Sequence, residues 1–87
     1  MRFSWDEAKA ASNILKHGVS FAEAETVFLD PLAIHAEDDG REERTVMLGV
    51  SEKHRILYVV FEETENDIRI ISARKTTPHE RRLYEEG

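Results

Sequence analysis

Eighty-seven residues, 40% hydrophobic and 34% charged, with a net charge of −6, leave room for one hydrophobic core and a single domain spanning residues 1–87. A chain this short buries only ~60–65% of its unfolded surface. It has no cysteine, so disulfide scaffolds and thiolate metal sites are excluded, and a reducing cytoplasm is the expected location.

The chain opens with "MRFSW", where Phe3 and Trp5 alternate with polar neighbours as in a short strand. No apolar run is long enough for a signal peptide or a membrane span, and Trp5 reads as a core residue rather than a base-stacking platform. "DEAKAASNILKHG" then turns helical, with Ala8, Ala11, Ile14 and Leu15 expected on the core side and Gly18 as the stop. Ser20 and Glu23 have capping-box spacing and restart a helix through Phe21, Ala24, Val27 and Phe28, which Asp30-Pro31 ends. From residue 32 the period shortens. "LAIHA", "RTVMLGV", "RILYVVFE" and "DIRIISARK" read as four strands, the third apolar enough to be central. The acidic loop 37–43 between the first two is expected to be the most mobile segment. Thr77, Pro78 and Glu80 then cap a short last helix. The order β-α-α-β-β-β-β-α predicts an α+β fold, a mostly antiparallel sheet packed on two N-terminal helices.

Charge is uneven along this order. Residues 1–66 hold 7 Lys/Arg against 14 Asp/Glu, and residues 67–87 hold 5 against 4. The acidic total argues against nonspecific coating of nucleic acid but leaves room for a local anion site. On the first helix Lys9, Asn13, Lys16 and His17 fall on one stripe, predicted to be exposed, that could face phosphate; the same cations also favour the helix C-terminus on their own. Near the C-terminus, Glu63, Arg69 and Arg74 on adjacent strands precede a helix carrying His79, Arg81 and Tyr84. Metal-free RNA cleavage needs such groups: a base for the 2′-hydroxyl, cations for the phosphorane and an acid for the leaving oxygen. Arg81 and Arg82 also sit at helical pairing distance from Glu85 and Glu86, which by itself is surface decoration.

Other chemistries lack their patterns. His17, His35, His54 and His79 show no zinc spacing, and no phosphate loop, nucleophile elbow or EF-hand is present. No metal and no cofactor is expected. Residues 20–29 carry no cation, which removes a helix-turn-helix reading.

Two segments together, "FSWDEAKAASNILKHGVSFAEAETVFLDP" (3–31) and "IRIISARKTTPHERRLYEEG" (68–87), resemble the BrnT toxins of bacterial type II toxin–antitoxin systems. The resemblance implies a RelE-like fold, an endoribonuclease that arrests growth by cutting cellular RNA, and a BrnA-like antitoxin partner. It also implies a toxin dimer inside a hetero-tetramer. Carried over by motif, the site residues are Lys9, Asn13, Lys16, His17, Glu63, Arg69, Arg74 and Tyr84. Arg69 and Arg74 are expected to hold the scissile phosphate, His17 or Glu63 to act as base, and Lys16, Lys75, His79 and Arg81 to bind RNA. Where relatives resemble T-E-R, this chain reads Glu62-Glu63-Thr64 and lacks the cation. The alternative is a non-catalytic module whose basic edge docks an acidic partner segment. The expected hollow joins Arg69, Arg74 and His17.

Overall fold

In the computed structural model, residues 2–36 and 43–87 are described; the acidic loop expected to be mobile falls, apart from Glu43, outside them. Strand β1 (Arg2–Ser4) leads to helix α1 (Glu7–His17) and helix α2 (Phe21–Thr26), which tightens into a 3-10 turn over Val27–Leu29. Strands β2 (Ile34–Ala36), β3 (Thr45–Val50), β4 (Ile56–Glu63) and β5 (Asp67–Lys75) follow, and helix α3 (Pro78–Glu86) ends the chain. The expected α+β order is present. The five strands form one sheet in the order β1-β5-β4-β3-β2, antiparallel except where β1 runs parallel to β5.

Local chemistry sets the boundaries. Asp6 caps α1 by accepting from the Lys9 N–H, and Gly18 ends it in the left-handed region at φ 68, which glycine enters without penalty. Ser20 accepts from the Glu23 N–H, but the reciprocal half of the expected capping box is absent because the Glu23 carboxylate is used elsewhere. Thr77 and Glu80 form the complete box at α3, with Pro78 in the first turn. Strand β2 starts later than "LAIHA" suggests. Asp30 accepts from the Leu32 N–H at 2.9 Å and its carbonyl from the Ala33 N–H at 3.1 Å, which holds the preceding residues in a turn.

Helices α1 and α2 lie on one face of the sheet. There Val19, Phe21, Ala24 and Val27 meet Leu57, Val59, Phe61, Ile68, Ile70 and Ala73, all buried. Phe28 joins the strand end to the centre, with ring centroids 5.0 Å from Phe3 and 4.9 Å from Phe61. Trp5 packs edge-on against Phe21 at 6.0 Å, in line with the core reading.

The orientation of α1 corrects the sequence expectation. Ala8, Ala11, Ile14 and Leu15 face outward, with Ile14 50% and Leu15 88% exposed, whereas Ala10 and Asn13 are buried. Asn13 causes this. Its Nδ2 donates to the carbonyls of Val19 and Ala73, both at 2.8 Å, and its Oδ1 accepts from the Ala73 N–H at 3.2 Å. Buried backbone groups need partners, and the amide that supplies them fixes which side of the helix meets β5. Asn13 is therefore not part of an exposed RNA-binding stripe.

A second departure lies in β5. Ser72 pairs with Val60 and Ile70 with Phe61, so Ile71 is an extra residue and the alternation changes phase. Ala73, expected opposite Ile68 and Ile70, turns into the same core. Paired residues share a face, and Arg69 pairs with Glu62 while Arg74 pairs with Tyr58. Both arginines thus project from the face away from α1 and α2.

Candidate active site

Helix α3 crosses that second face near the end of β5, with none of its residues buried. Two polar ties hold it. Arg74 donates to both Glu80 carboxylate oxygens at 2.8 and 2.9 Å and lies 3.8 Å over the Tyr58 ring. The Tyr84 hydroxyl donates to Asp30 at 2.5 Å, and Asp30 also accepts from the Val50 N–H at 2.8 Å. Arginine beside it keeps the Glu80 carboxyl below its usual range. Burial opposes ionisation of Asp30, but the Tyr84 hydroxyl and the Val50 and Leu32 N–H groups outweigh it and lower its pKa. The same bond, with burial, pushes Tyr84 up to about 12.

A hollow flanks α3 on each side. The first, about 530 Å³, is lined by His54, Arg55, Lys75, Thr76, Arg81 and Tyr84, with Glu85 at its rim. The tight β3–β4 turn supplies two of these: the Ser51 N–H donates to Arg55 O at 2.8 Å and the His54 N–H to Ser51 O at 2.9 Å. His54 adopts φ 62 to complete it. Arg55 is fixed from behind. It pairs with the buried Glu23 carboxylate, its Nε at 3.0 Å, and donates to Gly18 O at 3.1 Å. Ser51 donates to the same carboxylate at 2.6 Å. The Arg55 hydrogen bonds lower the Glu23 pKa against the cost of its burial, so the pair is ionised. Arg55 thereby ties the turn to the Gly18 carbonyl at the α1 stop, while neither Gly18 nor His17 is among the residues that line the hollow. Arg81 reaches Glu85 at 3.3 Å, an exposed pair, and Lys75 forms no ion pair among the described residues.

The second hollow, about 570 Å³, is lined by Ile34, His35, Tyr58, His79, Glu80 and Leu83 among others. His79 belongs here, and Arg74, stacked on the Tyr58 ring and paired with Glu80, stands behind two of its lining residues.

Several expected partners are apart. Along β5, Arg69 and Arg74 are separated by ~16 Å of strand. Arg69 lies near Asp6, whose pKa it helps lower after the Lys9 N–H cap, at the opposite end of α1 from His17. The expected single hollow joining Arg69, Arg74 and His17 is not formed. Glu63 pairs across from Ile68 at the far end of the β4–β5 hairpin, where Glu65, Asn66 and Asp67 share its hollow. An acidic turn repels phosphate, and Glu63 lies at the same end of the sheet as Arg69 but far along β5 from Arg74. Lys9 and Lys16 are exposed on α1. His54 and Arg55, given no role beyond the rejected zinc spacing, complete the first hollow. Their only sequence signal is "KHR", where His54 falls just before and Arg55 at the start of the predicted strand "RILYVVFE", which does not reveal that the turn closes against the end of β5.

Together these features define a small α+β protein with an open hollow at one end of its sheet, lined by His54, Arg55, Lys75 and Arg81. Residues 5–80 match the family described as the ribonuclease toxin, BrnT, of type II toxin–antitoxin systems. The chain belongs to this BrnT family. The crystal structure of the Brucella abortus ribonuclease toxin, BrnT, is similar to it with a TM-score of 0.71 and 28% identity, over 88% of this chain and 97% of that one. No curated protein matches the chain. An antitoxin partner follows from the family, and among the described residues no helix is long and apolar enough to cross a membrane.

Proposed function

We propose that this chain is a metal-independent, cytoplasmic endoribonuclease toxin of RelE-like fold that cuts RNA in the basic hollow between the β3–β4 turn and α3. One observation carries the reading: Lys75 at the end of β5, His54 and Arg55 in the turn and Arg81 on α3 line one open space. Lys75 and Arg81 hold the scissile phosphate, Arg81 exchanging its weak Glu85 contact for it. His54 removes the 2′-hydroxyl proton as the 2′-oxygen attacks phosphorus and the P–O5′ bond breaks. A water molecule in the open hollow returns a proton to the leaving 5′-oxygen, in place of the acid role the sequence left to other residues. The products are a 2′,3′-cyclic phosphate and a 5′-hydroxyl. Tyr84, its pKa pushed to about 12, keeps its proton and anchors α3 rather than serving as acid. Fixed cations do here what a metal does elsewhere. A BrnA-like antitoxin neutralises the chain in an assembly of two toxins and two antitoxins.

The test uses purified protein and RNA in excess chelator. Cleavage is expected to continue and to stop when the 2′-hydroxyl at the cut site is replaced by hydrogen. Cleavage abolished by chelator, or indifferent to the 2′-hydroxyl, contradicts the mechanism.

One observation favours a second reading, a non-catalytic module: Arg55, Arg74 and Arg81 already carry carboxylates of their own chain. Harmless expression without antitoxin, with no RNA cut, would select it.

A further inference from the structure

We infer that the outward face of α1 is the seat of the antitoxin, which lays an amphipathic helix with an acidic edge along Ala8, Ala11, Ile14 and Leu15. The inference rests on the family's toxin–antitoxin pairing and adds where the partner sits and what chemistry it presents.

Helix α1 is inverted in its amphipathicity. Its inner side buries only Ala10 and Asn13, while its larger apolar side chains, Ile14 at 50% and Leu15 at 88%, face solvent. Single exposed leucines are ordinary, but Ala8, Ala11 and Leu15 are spaced three and four apart, with Ile14 beside them. That is the spacing by which helices pack together. Among the described residues no other element covers this side; α1 packs on β5 through the opposite one. The helix is firmly held, capped at both ends and tied by Asn13, so the exposed strip is preorganised and its partner has little ordering cost to meet on this side.

The edge of the strip says what partner fits. Lys9 and Lys16 lie seven residues apart along one flank, ~10 Å on the helix axis, and neither forms an ion pair among the described residues. In a chain of net charge −6, two such lysines beside an apolar strip call for carboxylates from outside. A second copy of this chain fits poorly. Antiparallel pairing through this face would set Lys9 of one copy beside Lys16 of the other, and two acidic molecules repel each other.

The test titrates the full chain with the antitoxin encoded in its own operon, following heat of binding, RNA cleavage and thermal melting. The double variant Ile14→Ser/Leu15→Asp is expected to bind antitoxin at least tenfold more weakly, while its melting and its cleavage of RNA stay as in the wild type. Lys9→Glu/Lys16→Glu is expected to weaken binding and to flatten its dependence on salt. Unchanged affinity in the first variant overturns the inference. So does a shift of the free chain from dimer to monomer in that variant without loss of antitoxin affinity, which would make the strip an interface between copies. If the wild-type chain cuts no RNA, the ribonuclease reading falls, while the titration still decides this one.

Discussion

The Asn13 side chain joins three parts of the molecule: α1, the Val19 carbonyl after the α1 stop, and the Ala73 peptide unit in β5. Asn13→Ala strands two buried carbonyls and one N–H, and an unpaired buried polar group costs about 1–3 kcal/mol. The variant is expected to lose about 3 kcal/mol in urea unfolding, a loss no surface substitution on α1 produces. This residue also explains why the phase of α1 was illegible in the sequence. Hydrophobic periodicity predicts an apolar inner side when burial decides the orientation; here the backbone of β5 decides it, and a lone asparagine carries no sign of that. Tyr84→Phe is expected to cost about 1 kcal/mol, an ordinary hydrogen bond. The sign of the tyrosine's pH dependence follows from its raised pKa. Stabilisation is complete below the ordinary tyrosine range near 10 and is lost as pH rises through about 12. Stability measured from pH 9 to 12 should therefore fall more in the wild type than in the variant.

Helix boundaries were far more legible than helix orientation because caps are local. Gly18, Ser20, Thr77, Pro78 and Glu80 act on backbone groups within a few residues, and the structure uses each as its spacing suggests. The β5 bulge was not legible. "DIRIISARK" alternates well enough to read as a regular strand, and only pairing with β4 shows that Ile71 is extra. Without that residue Arg69 and Arg74, five positions apart, would fall on opposite faces. Close packing between elements supplies a further prediction at Gly49 in β3. A Cβ there would come within 2.7 Å of Val27 Cγ1 and 3.0 Å of Ala33 Cβ, both on well-packed backbone. Gly49→Ala is expected to destabilise by about 1–3 kcal/mol, the usual cost of overpacking, read as a fall in melting temperature.

Across the whole molecule, three carboxylates tie separate elements together: Glu23 holds the β3–β4 turn to α2, Asp30 the end of α3 to the chain before β2, and Glu80 the start of α3 to β5. All three have lowered pKa values. A lowered folded-state pKa gives stability that is present above the ordinary carboxylate range near 4 and is lost as pH falls through the folded value. Denaturant unfolding is expected to show a plateau at neutral pH and a steep loss below about pH 4. If stability is flat from pH 7 to 3, these ties do not hold the fold together. On the same scale, the cations at the C-terminal end of the sequence were visible in the composition, but their division was not. The length of β5 sends Arg69 to one end of the sheet and Lys75 to the other, and α3 separates Arg74 from Arg81.

That division yields the most direct measurement of the central claim, the rate of RNA cleavage by purified variants compared with the wild type. Lys75→Ala/Arg81→Ala is expected to lose at least a hundredfold while Arg69→Ala stays within a fewfold of the wild type, since removing transition-state charge stabilisation has effects of this order. Full activity in the double variant, with activity lost in Arg69→Ala, would place the chemistry at the opposite end of the sheet and contradict the account.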